Sequence, residues 1–170
     1  ANSGSASDQR VSPKLSAILG PWAKTEFFVN YGQGFHSNDA RGTTTTVDPK
    51  SGDPVDRVTP LVRTRGGEFG ARSEGLPGVQ SALALWRLDI DSELLFVGDA
   101  GTTEPSRPSR RQGIEWNTRW RPLPWLLFDL DVAWSKAHFT DDDPAGNRIP
   151  GAIESAVAAG APVRALGPWS

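Results

Sequence analysis

The stretch Leu126-Leu127-Phe128-Asp129-Leu130-Asp131-Val132-Ala133-Trp134 decides the fold. Leu126, Phe128, Leu130, Val132 and Trp134 share one parity, while Asp129, Asp131 and Ser135 take the other. A period of two is that of a β-strand, whose successive side chains point to opposite faces. Three further segments repeat it. Phe27, Val29, Tyr31 and Phe35 alternate with Glu26, Phe28, Asn30, Gly32 and Gly34. Ile114, Trp116 and Trp120 alternate with Arg111, Glu115, Asn117, Arg119 and Arg121. In the segment from 82 to 96, the spacing predicts one apolar face of Ala82, Ala84, Trp86, Leu88, Ile90, Leu94 and Phe96. Arg87, Asp89, Asp91 and Glu93 would lie opposite.

Weaker segments complete the set. Leu15, Ala17 and Leu19 alternate with Lys14 and Ser16, and Phe69 and Ala71 with Glu68, Arg72 and Glu74. The stretch from Gly151 to Ala161 is small and mildly apolar. Helical signals are weak, because 18 Gly and 14 Pro interrupt the chain and both are unfavourable inside helices. These segments predict about seven strands. Several connections are too short for a parallel crossover, so the strands are expected to be antiparallel.

The connections alternate in length. Gly20-Pro21-Trp22-Ala23-Lys24, Gly75-Leu76-Pro77-Gly78 and Arg121-Pro122-Leu123-Pro124-Trp125 are short. The stretches 36–63, 98–108 and 141–150 are longer. Short turns at one end of a sheet and long loops at the other are the plan of an outer-membrane barrel. Pro-Trp recurs at the short-turn end, placing Trp22, Trp125 and Trp169 there. Tryptophan favours a membrane–water interface, where the ring is buried and its N–H stays near water. The same spacing also suits a soluble β-sandwich whose corner tryptophans cap a core. The strand from about 79 to 97 is long for a soluble protein. A membrane strand needs ~9–11 residues, and the Asp91 to Val97 end would then project on the long-loop side. Dense charge of both signs on the polar faces suits a lumen wall, in which Arg87, Asp89, Asp91 and Glu93 would oppose Arg111, Glu115, Arg119 and Arg121.

Composition narrows the function classes. With no Cys, the chain has no disulfide, thiolate metal site or cysteine nucleophile. A net charge of -2 argues against a nucleic-acid binder that neutralises phosphates. No apolar run approaches the ~20 residues of a membrane helix. Negative mean hydropathy is compatible with membrane strands, which are apolar on one face only. The chain has no Met, so the expectation is a processed or partial product.

Several strings resemble TonB-dependent outer-membrane receptors. They are Ser12-Pro13-Lys14-Leu15 leading to Gly20-Pro21-Trp22, Phe27-Phe28-Val29-Asn30-Tyr31-Gly32-Gln33-Gly34-Phe35 running into His36 to Gly42, and Ala84-Leu85-Trp86-Arg87-Leu88-Asp89 continuing to Asp99. Ser109 to Glu115, Arg121 to Trp125 and Ile149 to Ala152 follow in the family's order. The resemblance spans residues from about 11 to 161. It implies an all-β antiparallel meander, an open curved segment of a 22-stranded barrel that a plug closes. Residues 1–170 are then expected to be a partial barrel domain, with plug, TonB box and C-terminal strand absent. The implied localisation is the bacterial outer membrane. The implied partners are outer-membrane lipid, the inner-membrane TonB complex acting through the missing plug and TonB box, and a small-molecule ligand. That ligand would be a scarce solute such as a siderophore–iron complex. A passive outer-membrane channel and a soluble secreted β-sandwich binding module are the alternatives.

No residue carries a case for catalysis, and no nucleic acid, metal or cofactor is expected. His36 and His138 lie far apart, and Asp141-Asp142-Asp143 lacks the alternating spacing of a Ca²⁺ loop. Gly32-Gln33-Gly34 has no strand–helix context for a nucleotide, and Thr43 to Thr46 is a polar loop run. Arg41, Arg107, Arg110 and Arg111 are the ligand-contact candidates, because they lie in or beside long loops and guanidinium pairs well with anions. Lipopolysaccharide headgroups or loop carboxylates are the competing partners for the same four.

Overall fold

The computed structural model describes residues 4–164, apart from 39, 49, 93, 98–101, 106 and 145, and describes 40, 41, 94–97 and 102–105 by their backbone alone. Nine strands and one short helix follow in the order β1 (Lys14–Trp22), β2 (Thr25–Ser37), α1 (Ala40–Thr44), β3 (Leu61–Ser73), β4 (Val79–Ile90), β5 (Leu94–Val97), β6 (Thr102–Pro105), β7 (Ser109–Leu123), β8 (Leu126–Phe139) and β9 (Ser155–Gly160). Seven of them form one sheet in the order β1-β2-β3-β4-β7-β8-β9, and β5 and β6 form a separate two-stranded hairpin. All the pairings are antiparallel. The expected meander of about seven strands is therefore present, and the seven do not divide into a sandwich.

Short and long connections alternate as the sequence predicts. Ala23 and Lys24 join β1 to β2 with φ of 49° and 60°, both left-handed, as the tight turn of a twisted hairpin requires. Gly20, at φ 117°, sits where the β1–β2 register shifts. A Cβ there would lie 2.8 Å from the Thr25 carbonyl oxygen, so glycine is needed at this bulge. Pro124 and Trp125 alone separate β7 from β8. At the opposite end lie the connections 38–60, 91–108 and 140–154.

Register assigns the faces, because residues directly opposite on neighbouring strands share one. Phe27 pairs with Ala71, Ala71 with Leu83, Leu83 with Trp116, and Trp116 with Val132. The next row runs Val29, Phe69, Leu85, Ile114, Trp134. The opposite face carries Glu26, Arg72, Ala82, Asn117 and Asp131 in one row, and Asn30, Glu68, Trp86, Gly113 and Ser135 in another.

This corrects the sequence reading of β4. Ala82, Ala84, Trp86, Leu88 and Ile90 lie on the polar side of the sheet, and Leu83 and Leu85 on the apolar side. The expected lumen row of Arg87, Asp89 and Asp91 against Arg111 and Glu115 does not form. Arg87 is opposite Gln112, and Asp89 is opposite Arg110, on the apolar side above Leu85. Glu93 lies outside the described residues. The long strand from about 79 to 97 also ends at Ile90, and Leu94 and Phe96 belong to the hairpin within the 91–108 connection. Part of the threonine run is helical in α1, where Thr43 is buried.

Two aromatics explain why the polar side accepts apolar groups. A Cβ on Gly113 would meet the Trp86 ring at 2.9 Å and the Trp134 carbonyl oxygen. A Cβ on Gly70 would meet the Phe28 ring and the Leu83 carbonyl oxygen. Each ring lies across a glycine on the neighbouring strand and covers backbone that has no side chain of its own.

The sheet has almost no core. Among the described residues only Val62 (4%) and Ile90 (8%) are buried hydrophobics. Phe69, Leu83, Leu85, Ile114, Trp116 and Trp134 are between 41% and 51% exposed. A sheet with one apolar face needs something to cover it, and among the described residues no second layer does so.

Candidate functional site

Two hollows of the sheet lie on its polar side. One groove of about 850 Å³ is lined by Glu26, Arg72, Gln80, Ala82, Asn117, Arg119 and Asp131, which come from five adjacent strands. A smaller one runs over Ser16, Asn30, Glu68 and Trp86. Strands that together line a hollow curve toward it, so the polar side is concave and the apolar side convex.

Cross-strand pairs order this wall. Arg72 Nε donates to Glu26 Oε2 at 2.6 Å, and Asn30 Nδ2 to Glu68 Oε1 at 2.6 Å. Asn117 Nδ2 donates to Asp131 Oδ1 at 2.7 Å. Asp129 stands opposite Gly160 and its carboxylate lies over that residue. The sequence did point to these polar residues. It missed the two glycine-covering rings, although an aromatic facing a glycine across two strands was the available signal.

At the long-loop end, Arg107 ties two connections together. Its Nε donates to both oxygens of Asp141 at 2.8 Å, and its Nη1 donates to the Gly146 carbonyl oxygen at 2.7 Å. Its guanidinium lies 4.5 Å above the centre of the Phe139 ring, a cation–π contact. The Arg107 hydrogen bond holds the Asp141 carboxyl below its ordinary range. Asp48 is lowered too, since its Oδ1 accepts the N–H groups of Lys50 and Ser51. Among the described residues no cluster of three or more His, Asp or Glu is placed to hold a metal.

The four candidate arginines are dispersed. Arg107 occupies the loop junction. Arg111 is on the concave face, between Leu88 and Ala137. Arg110 is on the convex face, with Nε 2.6 Å from Asp89 Oδ1. Arg41 is in α1, and its side chain lies outside the described residues. Of the three tryptophans, Trp22 is exposed at the short-turn end, 6.3 Å from the Phe27 ring. Trp125 is in the β7–β8 turn, and Trp169 lies outside the described residues.

A single curved meander with a polar concave face and an uncovered apolar convex face defines a segment of a large antiparallel β-barrel. Over residues 1–170 the sequence matches the family described as TonB dependent receptor-like, beta-barrel. The chain belongs to that family, a family of outer-membrane transporters and receptors. Among solved structures it resembles the FrpB iron transporter from Neisseria meningitidis (F3-3 variant), with a TM-score of 0.57 and 16% identity. The likeness covers 81% of this chain and 21% of the transporter, so the chain spans about a fifth of that protein. No curated protein matches it in sequence.

Proposed function

We propose that this chain is part of the wall of an outer-membrane transporter that imports a scarce solute, with a siderophore–iron complex as the leading class. The convex face meets lipid, the concave face lines the lumen, and the connections 38–60, 91–108 and 140–154 face outward. The observation that carries this reading is the uncovered apolar face of a sheet whose other face is polar and grooved. The family match and a structural neighbour that is an iron transporter support it. Trp22 and Trp125 then mark the membrane boundary at the short-turn end. Arg111 is the candidate arginine best placed to meet a solute entering the lumen. Energy would come from the inner-membrane TonB complex, through a plug and TonB box supplied by segments other than this one.

The test is uptake of radiolabelled iron–siderophore complexes by cells with and without the full receptor. Saturable uptake that requires the receptor and is abolished by a protonophore is the expected result. Receptor-dependent uptake that survives the protonophore would indicate a passive channel. Indifference to the receptor, across a panel of siderophore classes, would remove the proposed substrate.

A further inference from the structure

The convex face does not stay apolar to the top of the strands. Immediately beyond Phe69, Leu85, Ile114 and Trp134, toward the long loops, it turns cationic. Arg63 and Arg65 follow on β3, Arg87 on β4, Arg110 on β7 and Lys136 on β8. Four strands contribute, and β3, β4, β7 and β8 are consecutive neighbours in the sheet. At ~4.8 Å between strands and ~6.6 Å between same-face residues, the cations span about 14 Å across the strands and about 13 Å along them.

Among the described residues, five cations meet two carboxylates there. Asp89 is shared by Arg87 at 2.8 Å and Arg110 at 2.6 Å. Asp91 reaches Arg65 only at 3.7 Å. Arg63 and Lys136 are exposed and make no ion pair among the described residues. Among the described residues the patch therefore keeps a surplus of three positive charges. It lies on the opposite face from the concave wall, so a solute in the lumen does not reach it.

We propose that this patch binds a membrane lipid whose headgroup carries more than one phosphate. The proposal rests on the reading of the convex face as lipid-facing. Guanidinium groups donate paired hydrogen bonds to phosphate oxygens. A phosphate monoester carries about -1.5 to -2 at neutral pH, so two of them match the surplus. The apolar residues directly beneath give the acyl chains of the same molecule a surface, which a free anion would not use. Asp89 holds Arg87 and Arg110 side by side, and their remaining guanidinium N–H groups are left to donate to one headgroup.

The test uses the full receptor in detergent, with native mass spectrometry. The probes are a bis-phosphorylated acylated disaccharide, its dephosphorylated analogue and inorganic phosphate. The phosphorylated lipid is expected to bind at least tenfold more tightly than the analogue. The R65Q/R87Q/K136Q variant should lose most of that difference, and K24Q/R121Q/R164Q, at the short-turn end, should keep it. Equal binding of the two lipids, or equal loss in the two variants, would overturn the proposal. Displacement of the lipid by inorganic phosphate at comparable concentration would also overturn it, in favour of a free-anion site. Flotation of the receptor with phospholipid vesicles separates the two readings. A receptor that floats without phosphate selectivity sinks this proposal alone, and one that fails to float sinks the lipid-facing assignment as well.

Discussion

Replacing Gly113 by valine tests how the concave wall is built. A Cβ at this position would lie 2.9 and 3.0 Å from Cζ2 and Cε2 of Trp86 and would crowd the Trp134 carbonyl oxygen. Ordinary contacts begin near 3.4 Å. The ring must swing away, and the backbone of β8 must yield as well. Overpacking of this kind costs ~1–3 kcal/mol. Removing a glycine from a strand returns ~0.5–1 kcal/mol. A net loss of up to about 2.5 kcal/mol is therefore expected for Gly113→Val. In a Trp86→Ala background the ring contact is gone and only the carbonyl contact remains. The cost of Gly113→Val should then fall by ~0.5 kcal/mol or more, the range expected for residues in contact. Urea unfolding of the full receptor in phospholipid vesicles, followed by circular dichroism, gives all four values of the cycle. A stabilising Gly113→Val, or an identical cost in both backgrounds, would refute the packing of Trp86 over Gly113.

Four other outcomes follow from the same geometry. Trp116→Arg or Leu130→Arg should cost ~2–4 kcal/mol if these sites lie near the membrane midplane, and Glu115→Arg on the opposite face much less; vesicle unfolding measures both, and equal costs would contradict the face assignment. Arg107→Ala should release the 140–154 connection, raising amide exchange there severalfold while β7 and β8 stay protected. Acid should do the same to the unaltered protein. Asp141 has a lowered pKa in the folded state, so the Arg107 contact is complete above the ordinary carboxylate value of 3.8 and is lost as pH falls through the lowered one; exchange in this loop that is already maximal at pH 6 would count against the clamp. Trp22 fluorescence, isolated by replacing the other tryptophans with phenylalanine, should be quenched by lipids brominated near the headgroup more than by lipids brominated at the chain ends.

Most of the sheet was legible in the sequence, because β2, β7 and β8 alternate apolar and polar residues with few exceptions, Phe28 among them. The alternation of short and long connections was equally open, since Gly, Pro and Trp punctuate one end. The parity of β4 was not legible. Ala82-Leu83-Ala84-Leu85-Trp86 is apolar on both parities, and the longer run through Leu88 and Ile90 favoured the wrong one. Hydrogen-bonded register decides it instead, through Phe69 and Ala71 on β3, whose parity is clear from Glu68 and Arg72. The charged residues of β4 moved with that correction, from lumen wall to convex rim. Arg107 was found as a loop cation, but its partners lie 34 and 39 residues away. Spacing along the chain holds no information about such a contact.

The face assignment of β4 is where sequence and register disagree, and it is open to direct measurement. The chain has no Cys, so nitroxide labels can be placed singly at positions 82 to 86 of the full receptor in vesicles, in a cysteine-free background. Accessibility to oxygen, which concentrates in lipid, is compared with accessibility to a water-soluble nickel chelate. Oxygen access is expected at 83 and 85, and chelate access or protein burial at 82, 84 and 86. The opposite phase, or no alternation, would contradict a wall whose convex face meets lipid.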